Sequence, residues 1–123
     1  MWLKKLEFVG SSRDDLREFP EEARHDIGHA LFKVQQGGKP VNAKPLRGFG
    51  GAGVLEIIEN YLGDTYRAVY TVKFAEVVYV LHCFQKKSKR GIETPWYEMH
   101  LIRQRLRMAE EEHRSEYEKS KNI

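Results

Sequence analysis

Apolar positions recur with two different periods along the chain, and the change of period divides it. Ala23, Ile27, Ala30, Leu31 and Val34 lie three and four residues apart, which places them on one stripe of a helix. Gly37-Gly38 ends that helix, because a residue without a side chain suits the left-handed turn at a helix C-terminus. Upstream, Ser11 and Ser12 precede Arg13-Asp14-Asp15, a hydroxyl cap followed by carboxylates that favour the positive end of a helix. A short helix is therefore predicted from Arg13 to Phe19, closed by Pro20, which also suits the first turn of the helix that follows. Leu6 to Val9, an apolar run ending at Gly10, predicts an edge strand. From Val54 onward the runs become short and rich in Val, Ile, Tyr and Phe. Val54 to Glu59, Tyr66 to Phe74 and Val77 to Phe84, parted by Gly63-Asp64 and Ala75-Glu76, predict three consecutive antiparallel strands. Thr94-Pro95 opens a last helix with Thr as its cap, Met99, Ile102, Leu106 and Ala109 as its stripe, and a charged tail over 110–123. The expected class is α+β: an N-terminal strand and two helices packed on a small, mostly antiparallel sheet, with a C-terminal helix, all in one domain over 1–123.

Register sharpens this picture. If Ala75-Glu76 is a two-residue loop, Val72 opposes Tyr79, Tyr70 opposes Leu81 and Ala68 opposes Cys83, all on one apolar face. The other face pairs Lys73 with Val78, Thr71 with Val80, Val69 with His82 and Arg67 with Phe84, and Lys86 follows two positions later. Arg67, His82 and Lys86 are thus expected to converge at one end of the sheet, on the side the helices leave open.

Charge adds location. The chain carries 21 Lys and Arg against 18 Asp and Glu, a net +3, but the excess is concentrated. Residues 33–53 hold Lys33, Lys39, Lys44 and Arg47 with no acid, and residues 86–90 read Lys-Lys-Ser-Lys-Arg. Two readings stand for these loops: contacts to an anion or nucleic acid if the fold brings them together, or solubilising charge on exposed turns. No window is long and apolar enough for a membrane span, and the lysines at the start have no apolar stretch behind them. Cys83 is the one cysteine, which excludes an intrachain disulfide and suits a buried, inert thiol in a cytoplasmic protein.

Three motifs compete for attention. His25-Asp26-Ile27-Gly28-His29 spaces two imidazoles at i and i+4, as helical zinc pairs do, but no third ligand follows and the pair reads as a polar helix flank. Gly48-Phe49-Gly50-Gly51-Ala52-Gly53 matches G-x-G-x-x-G without the strand before and helix after that a dinucleotide fold requires, so it reads as a loop. Trp96, Tyr97 and His100 stand beside the second basic cluster, either packing at the helix start or offering rings to bases. Cations around one imidazole can bind a phosphodiester, stabilise its transition-state charge and move protons.

The order of elements, the Tyr66-Arg67 strand start, the segment Leu81-His82-Cys83-Phe84-Gln85-Lys86-Lys87-Ser88, the Thr94-Pro95 helix start and the glycine-rich stretch from Lys44 to Ile57 together resemble the RelE/HigB superfamily of toxin–antitoxin ribonucleases, in its phage-derived HigB-like branch. The likeness runs from about Leu6 to Leu106. It implies a RelE-like fold and a toxin that cuts messenger RNA on the ribosome by attack of the substrate's own 2′-OH, without metal or other cofactor. By position it implies that Arg67 contacts the scissile phosphate, that Lys86 or Lys87 is the basic residue after the last strand, and that Lys44 and Arg47 are loop cations on RNA. Lys89 and Arg90 add electrostatic grip, Tyr97 stands where RelE-like toxins carry a tyrosine, and His82 and His100 are the candidate proton carriers. It also implies a helix-turn-helix antitoxin as partner. The alternative is a phage-derived protein of the same fold that binds nucleic acid or a regulator without cleaving; a purely structural interaction protein is the third class.

Overall fold

In the computed structural model, which describes residues 2–51, 53–86 and 94–121, β1 (Lys5–Phe8) leads through α1 (Ser12–Arg17) and α2 (Glu21–Gln35) to β2 (Ala43–Pro45), β3 (Val54–Tyr61), β4 (Asp64–Thr71), β5 (Val77–Lys86) and α3 (Trp96–Lys121). The strands form one sheet in the order β1-β5-β4-β3-β2. β1 is the expected edge strand and runs parallel to β5, while the other pairings are antiparallel. β2, at the opposite edge, lies inside the connector that the sequence reading leaves as loop. It has three residues, Ala-Lys-Pro, too short and too poor in β-branched side chains to stand out, and an edge is where a strand tolerates proline.

The sheet is covered on both sides. Leu16 of α1 and Ala23, Ile27, Ala30, Leu31 and Val34 of α2 pack with Ile57, Tyr66, Ala68, Tyr70, Val78, Val80 and Cys83 on one face. On the other face Ile102, Leu106 and Ala109 of α3 pack with Val54, Val69, Tyr79, Leu81 and Phe84. The expectation of an open second face is therefore corrected. Helical periodicity shows that α3 has an apolar stripe, but not which side of the sheet that stripe covers.

The register expected at the top of the hairpin holds: Arg67 opposes Phe84, Ala68 opposes Cys83 and Val69 opposes His82. Beyond that point it shifts. Tyr70 opposes Val80 and Thr71 opposes Tyr79, leaving Leu81 as the extra residue of a β-bulge. β4 stops at Thr71 and β5 starts at Val77, so the connection is longer than the two residues expected. Tyr79 and Leu81 consequently join the α3 face instead of sharing a face with Tyr70.

Both expected caps also differ. Ser11 occupies the N-cap position of α1, but its hydroxyl donates to Asp15 Oδ2 at 2.8 Å, and Ser12 Oγ donates to the Val80 carbonyl at 3.1 Å. The Thr94 hydroxyl, buried at the entrance to α3, has no hydrogen-bond partner among the described residues; that helix starts with the Met99 N–H on the Pro95 carbonyl at 3.1 Å. α3 continues through the charged stretch to Lys121, where a Lys73–Glu110 ion pair ties it to the β4–β5 connection.

Ile102 is fully buried between α3 and the sheet. Ile102→Ala removes that packing and is expected to lower stability by about 2–5 kcal/mol, read as a fall in the urea midpoint with an unchanged slope.

Candidate nucleic-acid interface

Strand pairing lays polar side chains across the α3 face in rows. Lys44 opposes Glu56, Glu56 opposes Val69 and Val69 opposes His82, so these four form one row across β2, β3, β4 and β5. The adjacent row holds Ile58, Arg67 and Phe84, and the next holds Asn60, Thr65 and Lys86. Arg67, His82 and Lys86 thus share a face, as the alternation along the strands predicts. They do not project into solvent: their relative exposures are 5%, 5% and 7%.

At the β2 end a cleft of about 470 Å³ opens, lined by Lys44, Pro45, Leu46, Arg47, Gly48, Glu56, Thr94 and Met99. Its wall carries a buried ion pair. Arg67 Nη1 lies 3.0 Å from both carboxylate oxygens of Glu56, and Lys44 Nζ approaches the same carboxylate at 3.9 Å. Two cations thus surround one carboxylate that reaches the cleft. The Arg67 Nε atom is buried without a hydrogen-bond partner among the described residues. The rim is braced by α3, where Arg103 donates to the Gly48 carbonyl at 3.2 Å and lies over the Phe49 ring at 5.3 Å. Gly48 has a φ of +95°, a left-handed conformation that favours glycine where the loop meets Arg103.

His82 belongs to a separate network. Strands lie about 4.8 Å apart, so the row from Lys44 to His82 spans about 14 Å across three spacings. His82 Nε2 is 3.1 Å from Glu98 Oε2, and its Nδ1 is 3.2 Å from Arg105 Nη1. A guanidinium only donates, so Nδ1 accepts, and the proton sits on Nε2, donated to Glu98. Arg105 also donates to the Leu81 carbonyl at 3.0 Å and to Ser11 Oγ at 2.8 Å. Gly10, with a φ of +58°, makes room for that guanidinium, since a Cβ would meet Arg105 Nε at 2.8 Å. The ring is stacked on Phe84 at 5.0 Å. Burial lowers the His82 pKa and the Arg105 charge adds to the lowering, while Glu98 opposes it. Both ring nitrogens are engaged inside the protein, so the expectation of a solvent-facing imidazole among free cations is corrected.

Lys44 and Arg47 line the cleft as the sequence reading pairs them. Lys86 is buried on the same face; Lys87, Lys89 and Arg90 lie outside the described residues. Trp96 and Tyr97 are exposed at 80% and 59%, with ring centroids 6.1 Å apart, so the alternative in which Trp96 packs at the helix start is corrected: both rings stand in solvent. Cys83 is buried, and burial pushes its thiol up to about 12. Among the described residues no helix is long and apolar enough to cross a membrane. Sequence reasoning missed Glu56, Glu98 and Arg105. Glu98 and Arg105 flank Ile102 seven residues apart, a spacing that puts two opposite charges beside the apolar stripe of α3 and was the available signal. Glu56 had none, because its partner stands on the neighbouring strand.

This fold, a mixed five-stranded sheet with two helices on one face and a C-terminal helix on the other, is similar to that of solved structures from toxin–antitoxin systems. E. coli toxin RelE, a mutant in the free state, aligns with a TM-score of 0.52 at 24% sequence identity, covering 68% of this chain and 82% of that one. The RelBE2 toxin–antitoxin complex from Mycobacterium tuberculosis aligns with a TM-score of 0.50 at 21% identity, covering 72% of this chain and 97% of that one. The protein is therefore an α+β protein with the RelE fold. The family described as Phage derived protein Gp49-like (DUF891) matches residues 14–107, and the chain belongs to it. No curated protein matches the chain.

Glu56→Ala leaves the Arg67 guanidinium buried and unpaired and is expected to cost about 3–5 kcal/mol, whereas Lys44→Ala, at a half-exposed cation, costs about 0–1 kcal/mol; chemical denaturation of both variants measures the difference. The lowered His82 pKa also predicts a pH dependence. Between the folded value and the ordinary value near 6.5 the unfolded chain binds the proton more readily, so stability falls as pH drops through 6.5. His82→Gln flattens that part of the stability–pH curve.

Proposed function

We propose that this protein is the toxin of a toxin–antitoxin pair and a ribosome-dependent endoribonuclease that cuts messenger RNA in the cytoplasm. The observation that carries the reading is the cleft in which Lys44 and Arg47 stand beside a carboxylate held between two cations, on a fold shared with toxin RelE. Lys44 and Arg47 hold the phosphate backbone, since cations beside a phosphodiester supply most of the sequence-independent affinity. Lys87, Lys89 and Arg90, which follow β5 in the sequence, supply further positive charge for the backbone in this reading, Lys86 being buried, and Tyr97, exposed on the first turn of α3, offers a ring for stacking on a base.

Glu56 is the proton acceptor in this reading. Its carboxylate takes the proton from the 2′-OH, the oxygen attacks phosphorus, the P–O5′ bond breaks, and the leaving 5′-oxygen takes a proton from a water that is in turn reprotonated by Glu56, giving a 2′,3′-cyclic phosphate and a 5′-hydroxyl and regenerating the carboxylate. Lys44 and Arg47 stabilise the charge added at phosphorus. Arg67 is a positioning residue that holds the Glu56 carboxylate in its direction, in place of the direct phosphate contact that the family likeness implies. The partner that silences the cleft is a helix-turn-helix antitoxin, in keeping with the RelE-fold protein solved as a toxin–antitoxin complex.

A second reading has one observation in its favour: Arg67 and His82 have internal partners, which suits a nucleic-acid- or regulator-binding protein of the same fold that does not cleave. Induced expression separates the two. The toxin reading expects growth arrest with mRNA ends that appear only when ribosomes engage the message, and a loss of about 10²–10⁴-fold in cleavage for Glu56→Gln, scored only if that variant melts cooperatively. Lys44→Ala/Arg47→Ala is expected to weaken cleavage while leaving the melting temperature unchanged. RNA binding without cleavage by the wild-type protein selects the second reading.

A further inference from the structure

On the opposite side of the molecule from the cleft, α2 presents His25 and His29 on its exposed face. Their Nε2 atoms are 3.1 Å apart, with ring centroids at 4.5 Å and ring planes inclined by 71°. Two nitrogens with this separation, each bonded to a metal at roughly 2.0–2.1 Å, subtend about 98° at the ion. That angle lies between the right angle of tetragonal Cu(II) or Ni(II) and the tetrahedral angle of zinc. We propose that His25 and His29 form a two-donor site for a divalent transition-metal ion of the copper, nickel and zinc class.

The helix holds the donors in place. Ala23, Ile27, Ala30, Leu31 and Val34 anchor the other face of α2 in the core, so the i, i+4 pair is carried on a fixed support rather than on a loop. Gly28, next to His29, has nothing within 4 Å of where a Cβ would stand, and the face of α2 that carries both rings is exposed, so water can supply the ion's remaining ligands. Glu21 and Glu22, one turn before His25, place negative charge near the site and draw cations towards it. Asp26 is not counted as a third donor: its carboxyl stands near Glu59 of β3, whose pKa is raised by burial first and by the Asp26 charge next. Among the described residues no group of three or more His, Cys, Asp or Glu could hold a metal ion. The pair is thus a site completed by water, from which the ion exchanges, unlike the closed four-ligand sites that hold structural zinc. It is independent of the ribonuclease reading, since the cleft lies on the other face of the sheet.

The test uses the untagged full chain. Zn²⁺ is titrated calorimetrically, and Cu²⁺ is followed by electron paramagnetic resonance for nitrogen couplings. One ion per chain is expected, with couplings from two imidazoles and an affinity that falls about tenfold or more in His25→Ala and in His29→Ala but holds in His100→Ala, an exposed histidine elsewhere. Both α2 variants are surface changes, and an unchanged melting temperature without metal confirms that they fold. No saturable binding, or binding that survives loss of either α2 histidine, would overturn the proposal.

Discussion

The α3 face of this protein is organised by one buried ion pair. Placing Arg67 and Glu56 in the interior removes both from water, a cost that their pairing offsets, each oxygen of the carboxylate lying 3.0 Å from the same guanidinium nitrogen. The consequence reaches beyond stability. A guanidinium committed to a carboxylate is not a free cation, so the positive charge that faces the cleft comes from β2 and the loop after it, from Lys44 and Arg47. The pair also sets the carboxylate at the cleft wall as a charged group of fixed direction, which a side chain on a surface loop could not provide.

α3 completes the arrangement in two ways. Its apolar stripe of Ile102, Leu106 and Ala109 closes the second core, and the charges beside the stripe take over the polar groups that closure would otherwise strand. Glu98 and Arg105 engage the two nitrogens of His82 and fix its tautomer, while Arg105 reaches past Gly10 to Ser11 at the start of α1. One helix therefore joins the middle of β5, the start of α1 and, through Arg103, the glycine-rich loop at the cleft. The ordered rim and the ordered histidine have a common origin in this packing.

The helices were legible because their signal is local: the stripe from Ala23 to Val34 and the stripe from Met99 to Ala109 are each read from spacing alone. The three central strands were legible for the same reason, and so was the shared face of Arg67, His82 and Lys86. What failed was non-local. The bulge at Leu81 has no mark in the sequence, since leucine suits a paired and an unpaired position equally, yet it moves Tyr79 and Leu81 to the other face. Periodicity gave α3 its stripe without saying which side of the sheet it covers, so a face that is closed was expected to be open. Glu56 and Arg67 are eleven residues apart and meet only through the β3–β4 register. Lys44 and Arg47 were found as cations in an acid-free stretch, although the strand that carries Lys44 was not.

The account turns on the claim that the guanidinium of Arg67 serves the interior while Lys44 and Arg47 meet the RNA backbone. The salt dependence of RNA affinity tests it most directly, because each phosphate contact adds about one unit to the slope of log affinity against log salt. Lys44→Ala is expected to lower the slope by about one, while the double variant Arg67→Met/Glu56→Leu, which replaces the pair by apolar side chains of similar size, keeps the slope of the parent. A double variant whose slope falls as far as that of Lys44→Ala would contradict the account, since it would put the buried guanidinium on the backbone after all.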